Sequence, residues 1–162
     1  MHAPALPARI LGAGDIISID VGMEYPISGK LASGQAACRN PHSELGGYFT
    51  DMAITVPVGE VGPEVERLMD TTLKSLEAGI AQVVPGRTLN DLGQAVQEVA
   101  EKAGYGVVRD LVGHGVGHEV HEDPQVPNYR ITDGSLKNEV LKPGMVIAIE
   151  PMVAMGDHRI RV

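Results

Sequence analysis

Two stretches of the chain alternate apolar and polar residues, which is the pattern of β-strands that bury one face. They cover Asp15–Glu24 and Tyr48–Val58. In the first, Asp20 lies opposite a face of isoleucine, valine and methionine that we expect to pack on a core; in the second, Asp51 also lies on the less apolar face. If the strands pair antiparallel, the two aspartates lie close together on one face.

Residues 26–47, between these strands, are rich in glycine, serine, asparagine and proline. Such residues favour turns, and a segment of this length is long for a loop in a compact domain. We therefore predict an inserted loop at the tip of a hairpin. Its histidine, His42, is interpreted as an exposed loop residue rather than a ligand.

Two later segments predict helices. Pro63–Val84 has proline at its first position, and Thr88–Ala103 has Thr88 as N-cap and Gly104 as C-terminal cap. Apolar residues recur every three or four positions in both, so each helix is expected to bury one stripe. The stripes consist of Val65, Leu68, Met69, Thr72, Leu73, Leu76, Ile80 and Val83 in the first helix, and of Leu89, Leu92, Val96, Val99 and Ala103 in the second.

The remaining pattern is less regular. Tyr105–Val112 predicts a short strand, residues 122–143 an irregular segment, and Met145–Val153 a last strand. Glu150 lies on the face of that last strand opposite its two isoleucines. After Asp20 and Asp51, it is the third carboxylate that the pattern places opposite the apolar face of a strand.

Composition narrows the class of protein. The 162 residues suit one domain with its own core, and the net charge of −8 argues against a nucleic-acid surface, which needs a basic face. No apolar run approaches the length that crosses a membrane. The single cysteine, Cys38, cannot form an internal disulfide and fits a reducing compartment, so we expect a cytoplasmic protein.

The richest chemistry lies in residues 112–124, where three histidines fall among three glycines beside acidic residues. Imidazole binds metals and exchanges protons near neutral pH, and glycine lets the backbone approach a ligand. Oxygen ligands with one imidazole suit Mn, Fe, Co or Zn, so we predict a site for one or two divalent ions, with His118 and His121 as candidates for substrate hydrogen bonding or proton transfer. The predicted ligands, from four separate segments, are Asp20, Asp51, His114 and Glu150.

Simpler readings stay open at this point. An aspartate in a strand is often a structural residue, and His114 can be a loop histidine bonded to backbone. A glycine-rich run also occurs in phosphate-binding loops, but this run has neither the dinucleotide spacing nor a Gly-Lys-Ser/Thr sequence. The spacing by itself indicates a metal site and names no substrate.

Six motifs follow one another along the chain. They are Gly14-Asp15-Ile16-Ile17-Ser18-Ile19-Asp20-Val21-Gly22, Gly47-Tyr48-Phe49-Thr50-Asp51, Gly113-His114-Gly115-Val116-Gly117, Val120-His121-Glu122-Asp123-Pro124-Gln125-Val126-Pro127-Asn128-Tyr129, Lys142-Pro143-Gly144-Met145-Val146 and Ile149-Glu150-Pro151-Met152. In this order they resemble type I methionine aminopeptidases. The His-Glu-Asp-Pro-Gln-Val-Pro-Asn run favours this family over the related Xaa-Pro peptidases.

The resemblance implies an α+β pita-bread fold, a curved antiparallel sheet with helices on its outer face, and a site for two divalent ions. By this resemblance Asp20 binds one ion, Asp51 bridges both, and His114 and Glu150 bind the second, with Glu150 also near the attacking water. His121 corresponds to a histidine at the scissile amide. His2 corresponds to a substrate-contacting histidine. The implied reaction removes methionine from the N-terminus of a peptide or nascent protein, at the ribosome, when the second residue is small.

The sequence departs from the family pattern in three ways. It lacks the N-terminal region that helps form the methionine pocket, and the family's fifth metal ligand, a late glutamate, has no counterpart after Asp157. Asp20 and Asp51 are also further apart than in the family's tight hairpin. We therefore expect a single but incomplete catalytic domain, 1–162, with impaired turnover. Two alternatives remain: a non-catalytic peptide- or protein-binding module on the same scaffold, and an Xaa-Pro peptidase.

Overall fold

The computed structural model describes residues 10–26 and 47–160. Within these residues the chain forms an α+β fold in which every strand pair is antiparallel, as β1–β2, β3–β6 and β4–β5. None of the described helices is long and apolar enough to span a membrane. The elements are β1 (Ile16–Pro26), β2 (Gly47–Pro57), α1 (Pro63–Ile80), α2 (Leu89–Lys102), β3 (Tyr105–Val107), β4 (Gly113–Gly115), β5 (Glu122–Val126) and β6 (Val153–Met155).

The first two strands confirm the predicted hairpin. Residue pairing runs without interruption from Ile16 opposite Pro57 to Pro26 opposite Gly47. The predicted inserted loop therefore contributes its two end residues to the strands, and residues 27–46, which include His42, lie outside the described residues.

The apolar face of this hairpin is exposed, so the expectation that it packs on a core is wrong for the described part of the chain. Met23 and Met52 are 63% and 72% exposed, and Ile54 is 57% exposed. The reason is the placement of the helices. α1 packs on α2, and α2 packs on β3. The hairpin instead contacts later segments through β2, where Phe49 is bonded to Gly117 and Asp51 lies beside His114.

Helix α2 begins as predicted. Thr88 is the N-cap of a capping box: its hydroxyl accepts from the backbone N–H of Asp91 at 3.3 Å, and the Asp91 carboxylate accepts from the Thr88 N–H at 2.7 Å. The Thr88 N–H and the Thr88 hydroxyl both donate to the Asp91 carboxylate, and these two bonds hold the pKa of Asp91 below its usual value. The C-cap is Ala103 rather than the predicted Gly104. Gly104 comes directly after it with φ of +86°, the left-handed conformation that glycine adopts most easily.

Helix α1 differs from its prediction in length and in the face it buries. It ends at Ile80 rather than Val84. Before Pro85, the N–H groups of Gln82 and Val83 each donate to the carbonyl three residues earlier, as in a 3₁₀ turn. Its buried residues are Thr71, Ser75 and Gly79, whereas Leu73 and Ile80 of the predicted stripe are more than half exposed. Small residues face α2 because the helices approach closely: a methyl group on Gly79 would lie 2.7 Å from Val96.

The core lies under α2. Leu89, Leu92 and Val96 from the predicted stripe are fully buried, together with Val126 of β5 and Leu141. Two partly buried isoleucines, Ile147 and Ile149, pack against this cluster. The segment that carries Glu150 is therefore seated directly on the core.

Three predictions for the second half are wrong. Tyr105–Val112 forms a strand only over β3, and residues 122–143, predicted irregular, contain β5. Met145–Val153 is not one strand, because its neighbour changes along its length. Ala148 is bonded to β4, whereas Met152 is bonded to Val108 and regular pairing begins only at β6.

Candidate metal centre

The hairpin places Asp20 and Asp51 on the same face, as predicted. Gly22 pairs with Asp51 and Asp20 pairs with Ala53, so the two aspartates are diagonal neighbours across the ladder. Phe49 then ties β2 to the histidine segment, because its N–H donates to the Gly117 carbonyl at 2.7 Å. This bond brings Asp51, two residues further along β2, beside β4.

His114 lies in the middle of β4, not in a loop as the glycine-rich sequence suggested. On one side β4 pairs with β5; on the other, Ala148 donates to the His114 carbonyl at 2.7 Å. The flanking glycines permit this double contact, because a methyl group on Gly113 would overlap the Ala148 carbonyl oxygen and one on Gly115 would overlap the Asp123 carbonyl oxygen. Backbone on both sides therefore fixes the imidazole.

Three predicted ligands converge. His114 Nε2 lies 3.2 Å from Asp51 Oδ2 and 3.2 Å from Glu150 Oε1. One ligand atom of each residue lies within 4.8 Å of the others. The side chains of His114 and Asp51 are 11% and 13% exposed, and that of Glu150 is 30% exposed. The group is thus largely shielded from water yet open on one side.

The hydrogen bond of the His114 ring shows why a cation fits here. Its Nδ1 lies 2.9 Å from the Gly115 carbonyl oxygen, which only accepts, so Nδ1 carries a proton. In the neutral ring Nε2 is then a lone pair facing two carboxylate oxygens, and the buried Glu150 Oε1 accepts no hydrogen bond. A proton on Nε2 can make one good hydrogen bond, to one of the two carboxylates. A divalent ion at the same place would be bound by the imidazole and by both carboxylates. Metal-binding histidines usually carry this second hydrogen bond to a carbonyl.

Burial raises the pKa of the Glu150 carboxyl above its ordinary value, against the opposing effect of His114. The negative charges of Asp51 and Asp20 raise it further. Asp20 is therefore electrostatically part of the site, although it does not belong to the group of three ligand atoms within 4.8 Å. Its role as a ligand stays a prediction.

The other predicted histidines lie at different distances from the centre. The His121 ring packs edge-on against the His114 ring, with centroids 4.4 Å apart, and both line an open cavity of about 550 Å³ with Glu119 and Glu122. The His118 ring contacts Tyr48 instead, with centroids 5.0 Å apart. His2, the predicted substrate contact, lies outside the described residues.

Sequence reasoning missed Asn128. It is fully buried, and its Nδ2 donates to the backbone carbonyl of Glu150 at 2.8 Å. The signal in the sequence is a polar residue that directly follows the apolar Val126-Pro127 pair, which is typical of an asparagine carried into a buried position.

Comparison with known proteins identifies the family. The family model described as "Metallopeptidase family M24" matches residues 27–162, most of the chain. The chain belongs to metallopeptidase family M24. Its members' dependence on metal agrees with the three convergent donors, and divalent metal use is the chemistry to which both observations point.

Relatives of this M24 chain include methionine aminopeptidases. It is 39% identical over 154 residues to methionine aminopeptidase 1 of Bacillus subtilis, covering 95% of this chain and 53% of that protein. It is 40% identical over 161 residues to the methionine aminopeptidase of Clostridium acetobutylicum, covering 99% of this chain and 55% of that protein. The M24 chain thus spans about half the length of the curated relatives it matches.

Solved structures agree and confirm the predicted fold class. The methionine aminopeptidase of Thermotoga maritima matches with a TM-score of 0.74 and 40% identity, over 95% of this chain and 53% of that one. The prolidase of Pyrococcus furiosus matches with a TM-score of 0.61 and 29% identity, over 86% of this chain and 34% of that one. Over the part that it covers, the M24 chain has the α+β pita-bread fold of these peptidases, as predicted for a partial pita-bread fold.

The raised pKa of Glu150 predicts how metal-free protein responds to pH. A carboxyl whose pKa is higher in the folded state gives stability that is lost as pH rises through that pKa. Glu150→Gln should therefore raise the thermal midpoint of metal-free protein at pH 7, by about 2–4 °C per kcal/mol of relieved charge burial. The gain should shrink at pH 4, where the wild-type carboxyl is largely protonated.

Melting curves in a chelator at the two pH values measure this. Glu77→Gln, the same change at an exposed position of α1, is the matched control and should show no such gain. A wild-type protein as stable as Glu150→Gln at pH 7 would contradict the electrostatic account.

Proposed function

We propose that this M24 chain is a metal-dependent methionine aminopeptidase, which removes N-terminal methionine from peptides and nascent proteins when the second residue is small. The observation that carries the proposal is the convergence of His114 Nε2 with two carboxylate oxygens, each 3.2 Å away, where all three groups present lone pairs to one point. The higher similarity to methionine aminopeptidases than to prolidase supports this specificity.

In this proposal Asp51, His114 and Glu150 hold divalent metal, and Asp20 completes a site for two ions. The donor set of oxygens and one imidazole suits Mn, Fe, Co or Zn. When bound, such ions would lower the pKa of a bound water and polarise the substrate carbonyl. The exposed His121 ring, packed on His114, hydrogen-bonds the scissile amide and orients it towards the site.

Glu150 has a second role beside metal binding. Its carboxyl is partly buried, that burial raises its pKa, and it lies 3.2 Å from His114 in the proposed site, so it is a candidate for proton exchange. We assign it the proton that the attacking water gives up. The substrate then reaches the site from the open cavity beside His114 and His121.

The cellular context is a proposal as well. The single cysteine and the absence of a membrane-spanning helix from the described residues agree with a protein that meets new N-termini in the cytoplasm. Contact with the ribosome stays a prediction from family resemblance.

The test loads purified 162-residue protein with Mn or Co and offers three peptides: Met-Ala-Ser, Met-Leu-Ser and Ala-Pro-Ser. We expect metal in elemental analysis and release of methionine from Met-Ala-Ser only. Release of alanine from Ala-Pro-Ser would instead favour an Xaa-Pro peptidase, since the chain also matches a prolidase. Peptide binding with no bound metal favours the binding module and contradicts the proposal.

A further inference from the structure

Asn128 is a fully buried polar residue that none of the proposed chemistry uses. Its Nδ2 donates to the Glu150 carbonyl at 2.8 Å, while its Oδ1 is buried without a partner. The carbonyl only accepts, so the amide orientation is set by this one bond. Burying an amide oxygen without a hydrogen-bond partner is unfavourable. The hydrogen bond from Asn128 Nδ2 to the Glu150 carbonyl is therefore the feature that explains a polar residue here.

The segment around Asn128 is fixed to helix α2. A methyl group on Gly93 would overlap the Tyr129 carbonyl oxygen and lie 2.7 Å from that of Pro127, so the backbone on both sides of Asn128 rests on the helix. Asn128 therefore projects from a rigid support.

The Asn128 bond falls at the position where the Glu150 segment changes partners. Before it, Ala148 is bonded to His114 on β4; after it, the Met152 carbonyl accepts from Val108. Glu150 lies between these two attachments, and the Asn128 amide holds its carbonyl there. Rotation of the peptide at this point would swing the Glu150 carboxylate away from His114 Nε2.

We propose that Asn128 is a positioning residue for the metal centre: its buried amide fixes the main chain of Glu150 and thereby aims the Glu150 carboxylate at the point shared with Asp51 and His114. This inference rests on the proposed metal site. Asn128 itself contacts neither metal nor substrate, and it couples the centre to α2 and so to the core.

The test compares Asn128→Leu with Asn90→Leu. The substitutions are chemically identical, and each removes an amide that donates to a backbone carbonyl, that of Glu150 or that of Ile131. Each variant is titrated with Co alone, followed by visible absorption and calorimetry, at a temperature where melting curves show it folded. We expect Asn128→Leu to bind Co roughly 10- to 100-fold more weakly with an altered absorption spectrum, as is typical when an outer partner of a metal ligand is lost. Asn90→Leu should keep the wild-type affinity and spectrum.

The outcomes separate this inference from the proposed function. Wild-type protein that fails to bind Co contradicts the metal site itself. Wild-type protein that binds, with Asn128→Leu matching it or with both variants weakened equally, overturns the positioning role. If Asn128→Leu does not fold, Asn128→Ala, which removes the donor without adding bulk, is compared with Asn90→Ala under the same criteria.

Discussion

Replacing His114 with alanine is expected to abolish metal-dependent peptidase activity, with a loss of about 1,000-fold or more. The imidazole Nε2 is the ligand atom that lies beside both carboxylates, 3.2 Å from each. No other side chain of the described group supplies a nitrogen ligand. Without it, Asp51 and Glu150 face each other uncompensated. Metal contributes several kcal/mol of stabilisation to the reaction, and each 1.4 kcal/mol lost is a tenfold loss of rate.

The measurement is hydrolysis of Met-Ala-Ser, with Co binding followed in parallel. His158→Ala is the matched control, because His158 follows β6 and takes no part in the proposed site. We expect that control to retain wild-type binding and turnover. Retention of tight Co binding by His114→Ala would show that the metal, if present, is held elsewhere.

Replacing Gly113 with alanine is expected to destabilise the protein by about 3 kcal/mol, at the upper end for overpacking. The added methyl group would overlap the Ala148 carbonyl oxygen, which is backbone and has no rotamer to change. The strand must move away from the Glu150 segment, and His114, the next residue, moves with it. The same change should therefore also weaken Co binding.

Urea unfolding and Co titration together measure the two effects. Gly12→Ala is the control, since a methyl group there meets nothing within 4 Å and its φ is not positive. Its effect should stay within about 0.5 kcal/mol. A Gly113→Ala protein as stable as this control would show that β4 and the Glu150 segment are not as closely apposed as described.

Local signals were enough for much of the framework. The capping pair at Thr88 defines the start of α2 through contacts within a few residues, so the sequence predicted it correctly. The left-handed Gly104 lies one residue beyond the C-cap, Ala103, so the sequence predicted the other end to within one residue. Alternation likewise predicted β1 and β2 and put Asp20 and Asp51 on one face, because side chains alternate strictly along a strand.

Contacts between segments far apart in the chain could not be predicted from such local patterns. The last predicted strand failed because Ala148 and Met152 pair with different neighbours, and α1 buries Thr71, Ser75 and Gly79 because its approach to α2 leaves space only for small residues. Helical periodicity favours large apolar residues and cannot report how close the partner helix lies.

By itself the sequence determined which side chains are available for metal chemistry and on which faces of their own elements they lie, because residue type and strand alternation are local properties. Only the tertiary structure decided that Asp51, His114 and Glu150 lie around one point, with one ligand atom of each within 4.8 Å of the others. It also decided that the Asn128 amide is hydrogen-bonded to the main chain of Glu150. These distances depend on backbone contacts such as that between Phe49 and Gly117, which join segments far apart in the chain.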